Sequence, residues 1–341
     1  MKAWIINKVT DLTKESDPLQ LAELPKPVPV EGELLIKVSV CGVCHTEIDE
    51  IEGRTPPPVY PVVPGHQVVG VVEQSKGKNN KAKVGERVGV AWIYSACGKC
   101  DYCKNGRENL CDSFLATGRD RNGGYAEYMV VPDNFAYPIP DVFSDAEAAP
   151  LLCAGAIGYR SVALCNLKNG QNIGLTGFGA SAHLVLKLIR YKYPDSKIFI
   201  FARSENERKF GLQLGAYWAG DTTDKPAELL DSIIDTTPVW KPVVHALEVL
   251  EPGGRLVINA IRKERTDQHY LVNISYPKHL WMEKEIKSVA NVTSNDVREF
   301  IHIAAEMPFK PDVETYAFNE ANQAIIDIKN RKIQGAKVLI I

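Results

Sequence analysis

Short runs of β-branched and aromatic residues, bounded by glycine, proline or asparagine, fill the chain up to about residue 140. These runs predict β-strands, and proline clusters at Pro25–Pro29 and Pro56–Pro64 predict the loops between them. Helical spacing of useful length occurs here only around His45–Gly53. The first part of the chain is therefore predicted to be β-rich. Its clearest predicted strands are Gly32–Val40, His66–Gln74, Gly85–Trp92 and Gly123–Val131.

Near Ser144 the pattern changes to strands that alternate with helices. The stretch SDAEAAPLLCAGAIGYRSVALCNL predicts a helix, with Ser144 as N-cap and Glu147 completing a capping box. The predicted strands that follow are QNIGLTG, SKIFIFAR, LDSIIDTT and RLVINAI, and the helices between them are ASAHLVLKLIRYK, SENERKFGLQLG and PVVHALEVLEPGG. This alternation predicts βαβ units around a parallel sheet. The remainder is mixed and ends in the strand KVLII.

Composition narrows the class of protein. A chain of 341 residues is long for one core and suggests about two domains. The formal net charge of -2 does not suggest a nucleic-acid or membrane partner. No signal-peptide pattern and no apolar run of about eighteen residues occur, so we expect a cytoplasmic protein. In a reducing compartment its 8 cysteines are better explained as metal ligands, catalytic groups or buried residues than as disulfides.

Four cysteines lie close together in CGKCDYCKNGRENLC. Cys97, Cys100, Cys103 and Cys111 follow the spacing C-x2-C-x2-C-x7-C, and four thiolates can close a structural Zn²⁺ site. An iron–sulfur cluster is the alternative, but ferredoxins place the fourth cysteine three residues on, followed by proline. The few basic residues around the loop disfavour a nucleic-acid-binding zinc module. The spacing therefore predicts structural zinc.

A dinucleotide fingerprint follows the first strand of the alternating region. Gly177-Phe-Gly179-Ala180-Ser181-Ala182 matches G-x-G-x-x-[G/A] between a strand and a helix. Gly177 permits the tight turn, Gly179 admits a pyrophosphate close to the backbone, and Ala182 lets the helix pack on the strand. The alternative is a glycine turn that serves packing alone. The βαβ context favours a dinucleotide.

Cofactor choice depends on the end of the next strand. Arg203 and Ser204 stand where an acidic residue would bind the ribose 2′-hydroxyl of NAD. Arg203 could bind a 2′-phosphate, with Arg208 or Lys209 assisting, or it could stack on adenine or face solvent. NADP(H) is slightly favoured over NAD(H).

The stretch SVCGVCHTEIDEIEG raises the question of what Cys41 and Cys44 do. A thioredoxin-like redox pair should precede a helix in a βαβ unit, whereas this region is β-rich. Cys41 and Cys165 are best explained as buried small residues. Cys44 stays a candidate metal ligand.

Five motifs together carry a resemblance to a known family: GVCHTE, PGHQVVG, the four-cysteine loop, APLLCAG and GFGASA. They occur in the order and spacing of the zinc-dependent medium-chain alcohol dehydrogenases, which the chain resembles over its whole length. The resemblance implies an α/β fold: a GroES-like β-rich catalytic domain plus a Rossmann cofactor domain with a doubly wound parallel sheet. The catalytic domain would span 1–150, completed by 291–341, and the Rossmann domain 151–290. The zinc would lie in the cleft between the domains.

The resemblance also implies the ligands and their helpers. Cys44, His66 and Cys153 would bind catalytic zinc and leave one position open. Thr46 would receive the alcohol proton, and Glu47 would orient His66 from behind. His45 would face the cofactor pyrophosphate. Two Zn²⁺ per chain are therefore expected.

Several positions depart from the family pattern or have a second explanation. Gln67 replaces the usual glutamate and cannot act as an anionic transient ligand, and Asp49 replaces a relay histidine and would pass the proton on. Lys337 is a substitute for an arginine that would bind the pyrophosphate. Trp92 would line a narrow substrate pocket that favours primary alcohols, although it could equally be a core residue.

The predicted function is a zinc-dependent alcohol dehydrogenase that transfers hydride reversibly between alcohols or aldehydes and NAD(P). One alternative is an NADPH-dependent reductase of activated double bonds, whose members often lack the zinc ligands. Another is a non-catalytic, zinc-stabilised dinucleotide-binding protein. The predicted partners are a small-molecule substrate and a second copy of the chain, as homodimer or homotetramer, with no nucleic acid or membrane.

Overall fold

The computed structural model describes residues 1–78, 82–307, 310–330 and 335–341, without the side chains of Ala180 and Ser181. The chain divides into two compact units. The first unit contains Met1–Ala156 and Val292–Ile341, and the second contains Ile157–Asn291.

The secondary structure comprises strands and helices as follows. The strands are β1 (Lys2–Ile5), β2 (Gln20–Glu23), β3 (Glu33–Val43), β4 (Val68–Ser75), β5 (Arg87–Val90), β6 (Ile93–Ser95), β7 (Leu115–Ala116), β8 (Tyr128–Pro132), β9 (Ala136–Pro138), β10 (Ile173–Thr176), β11 (Ile198–Phe201), β12 (Trp218–Gly220), β13 (Leu230–Asp235), β14 (Leu250–Ile258), β15 (Glu285–Ser288), β16 (Val313–Ala317) and β17 (Ala336–Ile340). The α-helices are α1 (His45–Ile51), α2 (Asp101–Lys104), α3 (Asp145–Ala148), α4 (Ala154–Cys165), α5 (Ala180–Lys192), α6 (Glu205–Gln213), α7 (Lys241–Glu248), α8 (Ser294–Glu306) and α9 (Ala321–Lys329).

The first unit is built on a mostly antiparallel sheet with the order β16-β17-β3-β4-β5-β9, and β8 also pairs with β3. Leu34, Ile36 and Val38 lie on one face of β3 in the main core of the first unit, and Leu35 on the opposite face is buried as well. The prediction of a β-rich first part is confirmed. Strand β3 runs on to Val43, so that Cys44 lies directly at its end.

The second unit contains a six-stranded sheet of parallel strands with the order β12-β11-β10-β13-β14-β15. Counted from β10 this is the order 3-2-1-4-5-6 of a doubly wound dinucleotide-binding fold. The predicted fold class is confirmed. The sequence missed the short edge strands β12 and β15, and α7 ends at Glu248 rather than at the glycines, which belong to the start of β14.

The helix predicted after Ser144 is interrupted. Ser144 and Glu147 form the expected capping box, but α3 gives way to a 3₁₀ turn over Ala149–Leu152, and α4 begins only after Cys153. Pro150 has no N–H to continue an α-helical ladder. The stretch Asp145–Cys165 is long and apolar enough to cross a membrane, but 67% of its most apolar window is buried, as in a core helix. The interruption presents Cys153 at a break between helices.

Candidate active site

Cys44, His66 and Cys153 meet in the first unit. Nε2 of His66 lies 3.5 Å from Sγ of Cys44 and 3.4 Å from Sγ of Cys153, and all three ligand atoms lie within 4.8 Å of one another. Two ligands at ordinary Zn–S and Zn–N distances in a tetrahedron are separated by about 3.5 Å. The donor set and its spacing therefore fit a zinc ion with three protein ligands.

Two of the ligands are held by the local backbone. Cys44 is the N-cap of α1, and its Sγ accepts a hydrogen bond from the backbone N–H of Thr46 at 3.4 Å. His66 follows Gly65, whose φ of +97° favours glycine and whose added Cβ would lie 2.3 Å from the Tyr125 ring. The turn before His66 thus depends on glycine.

Glu47 connects two of the ligands. Its Oε2 accepts a hydrogen bond from the backbone N–H of Cys44 at 2.8 Å, and its Oε1 lies 2.7 Å from Nδ1 of His66. Burial opposes charge on the ring, but Glu47 and Cys44 raise the pKa of His66 well above its ordinary value. A carboxylate behind a metal-binding histidine fixes which ring nitrogen faces the metal. Glu47 has the geometry that its predicted role requires.

The thiol of Cys44 has a raised pKa. A hydrogen bond with Cys153 is the main cause, and burial and the nearby Glu47 carboxylate add to it. A metal cation would reverse this preference by stabilising the thiolate. Two thiolates at this site would therefore need a cation beside them.

The other predicted residues near the ligands differ in their surroundings. Thr46 is half-buried beside Cys44, and His45 is exposed at the start of α1. The Asp49 carboxylate is ion-paired with Arg54, whose backbone N–H also donates to the Asp49 carbonyl. The side chain of Gln67 lies on Gly42, where an added Cβ would be 2.8 Å from it.

Glu50 is a residue that sequence reasoning missed. It is completely buried, and neither carboxylate oxygen has a hydrogen-bond partner among the described residues. Burial and the neighbouring Glu47 raise the pKa of Glu50 well above its usual value. Spacing could have identified it, because residues three apart on a helix share a face, and Glu47 and Glu50 are three apart on α1.

Trp92 is half-buried and packs against Phe114, with the ring centroids 5.0 Å apart. Its indole N–H has no hydrogen-bond partner among the described residues. These contacts are compatible with both the pocket and the core interpretation.

The four-cysteine loop forms a second cluster in the first unit. The ligand atoms of Cys97, Cys100, Cys103 and Cys111 lie within 4.8 Å of one another, and the sulfurs of Cys97 and Cys103 are 3.9 Å apart. Sulfurs of a tetrahedral zinc site are separated by about 3.8 Å. The cluster therefore fits a zinc ion with four thiolate ligands. Cys41 and Cys165 are buried elsewhere, as expected.

The glycine turn after β10 lies in the second unit. Gly177 has a φ of +79°, and an added Cβ would lie 2.9 Å from Oγ1 of Thr236, so the turn requires glycine. An added Cβ on Gly179 would meet nothing within 4 Å. Packing within the protein does not explain this glycine, whereas a ligand lying on the backbone would. Ala182 is buried, as helix packing requires, and the predicted side chains of Ala180 and Ser181 lie outside the described residues.

The residues predicted to contact the cofactor differ in how far their side chains are exposed. Arg203 and the N-cap Ser204 are exposed just past β11, while Nη1 of Arg208 donates to the carbonyls of Ala202 and Arg203. Lys337 is 2% exposed, and its ammonium binds Glu314 and the hydroxyl of Tyr316. The Lys337 ammonium is thus already used within the first unit, and its assignment to the pyrophosphate stays a prediction.

Known alcohol dehydrogenases are similar to this chain over almost its whole length. The family described as "Alcohol dehydrogenase GroES-like domain" matches residues 30–141. A probable alcohol dehydrogenase, AdhA, of Mycobacterium tuberculosis is 39% identical, over 100% of this chain and 97% of that protein. An alcohol dehydrogenase of Geobacillus stearothermophilus is 32% identical, over 99% of this chain and 98% of that protein.

This chain belongs to the zinc-dependent medium-chain alcohol dehydrogenase family. A solved cinnamyl alcohol dehydrogenase from Sorghum bicolor is also similar, with a TM-score of 0.84 and 25% identity over 99% of this chain and 97% of that one. The predicted family, fold class and reaction class, an NAD(P)-dependent oxidoreductase acting on alcohols, are confirmed.

Proposed function

We propose that this alcohol dehydrogenase interconverts primary alcohols and aldehydes by reversible hydride transfer with NAD(P). The observation that carries the proposal is the convergence of Cys44, His66 and Cys153 within 4.8 Å, with Glu47 behind the histidine. Three protein ligands leave the fourth position of a catalytic zinc for substrate. A reductase of double bonds on this scaffold would have no need of these ligands.

The protein's own groups prepare the site. Zinc, when bound, supplies a Lewis acid that polarises the substrate oxygen and lowers the pKa of its hydroxyl. Cys44 and Cys153 contribute negative charge that offsets the cation. Thr46, half-buried directly after His45, receives the alcohol proton through its hydroxyl. Asp49 is the proposed next acceptor, although its pairing with Arg54 makes water an equally suitable one.

The dinucleotide would bind on the second unit at the Gly177 turn and supply the hydride acceptor. The open space over Gly179 and the N-terminus of α5 suit a pyrophosphate. We propose NADP(H) over NAD(H), because Arg203 is exposed at the end of β11 and no carboxylate occupies that position. Comparing kcat/KM for NADH and NADPH with one aldehyde tests this. In Arg203→Asp the preference should shift towards NADH, and no shift would remove Arg203 from 2′ recognition.

Two zinc ions per chain are part of the proposal. The closed set of four cysteines would hold structural zinc, and the set of three ligands would hold catalytic zinc. Metal analysis of the purified protein should give about two equivalents. One equivalent would favour the reductase or the non-catalytic interpretation.

A Thr46→Ala variant tests the catalytic proposal directly. It should keep both metals and lose turnover by about 10²–10⁴-fold, the range for a group that transfers a proton. Thr46→Ser, which keeps the hydroxyl, is the matched control and should retain most of the activity. Full turnover in the alanine variant would exclude Thr46 from the mechanism.

Assembly and location complete the proposal. We propose a homodimer or homotetramer, since β15 is an edge strand of the parallel sheet and all four of its residues are exposed. Trp281 and Met282, just before it, are 54% and 51% exposed. Light scattering would measure the assembly. The cytoplasmic location stays a prediction.

A further inference from the structure

A buried ion pair lies at the carboxyl ends of β13 and β14. Asp235 ends β13 and is completely buried, and the side chain of Lys263 is 8% exposed. The Lys263 ammonium binds the Asp235 carboxylate and also donates to the carbonyls of Thr237 at 2.7 Å and Val239 at 3.1 Å. One N–H donor of the ammonium is therefore used on Asp235 and the other two on the segment that follows it, residues 236–240, called here the 236–240 loop.

The 236–240 loop packs directly on the glycine turn of the dinucleotide fingerprint. The backbone N–H and the hydroxyl of Thr236 both donate to the carbonyl of Thr176, at 2.9 and 3.0 Å. An added Cβ on Gly177 would lie 2.9 Å from Oγ1 of Thr236 and 3.1 Å from Cγ2 of Thr237. The loop and the turn are in direct contact, so a shift in one displaces the other.

The segment after β14 holds the loop from its other end. The Asp267 carboxylate accepts hydrogen bonds from the backbone N–H groups of Trp240 and Lys241, the shortest of 2.7 Å, where α7 begins. The backbone N–H of Glu264 donates to the carbonyl of Pro238 at 2.6 Å. Lys263 is thus one of three successive anchors, and it is the one nearest the glycine turn along the loop.

Stability alone is a weak reason for this arrangement. Taking two charges out of water is costly, and replacing a buried pair with apolar residues is often neutral or stabilising. Here burial raises the pKa of Asp235 even though Lys263 opposes that change. The pair lies at the carboxyl edge of a parallel sheet, where ligands of doubly wound folds bind. The pair can therefore contribute by fixing the conformation of the backbone at that edge.

We propose that Lys263 is a positioning residue for the dinucleotide: it holds the 236–240 loop against the Gly177 turn and so keeps the turn and the start of α5 in the conformation that receives the pyrophosphate. This inference rests on the proposed function, since it assumes that the turn binds NAD(P).

A Lys263→Met variant of the zinc-loaded enzyme tests the inference, with NADH and NADPH titrated by nicotinamide fluorescence. We expect the dissociation constant to rise roughly tenfold, within the range seen for residues coupled through one network. The KM for the dinucleotide should rise while kcat changes little. An unchanged dissociation constant would overturn the inference.

The double variant Asp235→Asn/Lys263→Met separates positioning from stability and decides the question if the single variant does not fold. It leaves no uncompensated buried charge, so thermal stability should return towards that of the parent. Dinucleotide binding should stay weak, because the Thr237 and Val239 carbonyls have still lost their donor. Parent-like stability with parent-like binding would contradict the proposal.

Arg255→Met is the matched control. Arg255 lies earlier on β14, where it pairs with Glu285 at 2.9 Å and donates to the carbonyl of Leu164. Its loss should leave dinucleotide affinity unchanged, and an equal weakening would mean that any loosening of the sheet has this effect. If the parent protein binds neither dinucleotide, the proposed function fails; if it binds one and Lys263→Met binds equally well, only this inference fails.

Discussion

The two cysteine-containing clusters of the first unit fit the same metal but are built in opposite ways. The four-cysteine loop takes its ligands from fifteen consecutive residues, Cys97 to Cys111. The three-ligand site takes them from the end of β3, from the turn before β4 and from the break before α4. The loop offers four thiolates that could enclose a metal, whereas the other site offers three protein ligands among the described residues.

The surroundings of the sulfurs differ as well. In the loop, backbone N–H groups donate to sulfur, for example Cys100 to Cys97 at 3.4 Å and Cys103 to Cys100 at 3.5 Å. Such hydrogen bonds lower the pKa of the Cys97 thiol to about 6. In the three-ligand site Cys44 accepts one such bond, from Thr46 at 3.4 Å, and a buried side chain, Glu47, supports His66. A local metal site is supported by its own backbone, and a distributed one needs side chains from its neighbours.

The largest effect should come from breaking the three-ligand site. Cys44→Ser removes one of the three protein ligands, so we expect loss of about one zinc equivalent and of detectable turnover. The loop should keep its metal, because no ligand is shared between the sites. Metal analysis and alcohol oxidation measure both effects; substantial turnover with one zinc lost would assign catalysis elsewhere.

Removing the support of the histidine should have a smaller effect. In Glu47→Gln the His66 ring loses its carboxylate partner, and zinc affinity at this site should fall about 10–100-fold. Competition with a chromophoric chelator measures it, and the loop zinc serves as the internal reference. Equal loss from both sites would show a general loosening of the unit.

Acid should weaken zinc binding at the three-ligand site, by about tenfold per pH unit for each proton that the metal displaces. The pKa values of Cys44 and His66 are raised in the metal-free site, so zinc must displace protons there and its affinity falls as pH falls. Zinc affinity at this site, measured from pH 8 to 6.5, should therefore decline as the pH is lowered; an affinity that does not change with pH would refute this.

The smallest effect on turnover should follow Cys103→Ser. Loss of loop zinc removes folding energy, and a loss of about 3 kcal/mol would lower the Tm by roughly 6–12 °C. Turnover well below the Tm should persist, since Cys44, His66 and Cys153 are untouched. Calorimetry and initial rates check the two expectations, and abolished turnover in a folded sample would show that the sites are coupled.

The same contrast explains what the sequence could predict. Spacing alone identified the four-cysteine loop, because its ligands and their backbone donors are local. Family motifs, not spacing, joined Cys44, His66 and Cys153, whose approach depends on how β3, β4 and α4 pack. The parallel sheet of the second unit followed from its βαβ pattern, whereas its edge strands β12 and β15 did not.

The other features of the site could be recognised only from the positions of the side chains. Nothing local showed that Lys337 would be buried against Glu314, or that Asp49 would pair with Arg54. The break at Cys153 was hidden because the surrounding residues all favour helix, and Pro150 was the only available signal. The burial of Lys263 depends on long-range packing in the same way, since its partner Asp235 is distant in sequence.

The most direct test of the account is the absorption spectrum of cobalt-substituted protein, with a Cys44→Ser sample subtracted to remove the contribution of the loop. We predict the spectrum of a four-coordinate Co²⁺ with two thiolates and one imidazole, which changes when imidazole or azide is added because these ligands enter the remaining position. A spectrum without thiolate-to-cobalt bands, or one that added ligand leaves unchanged, would contradict the claim that these three side chains hold a metal open to substrate.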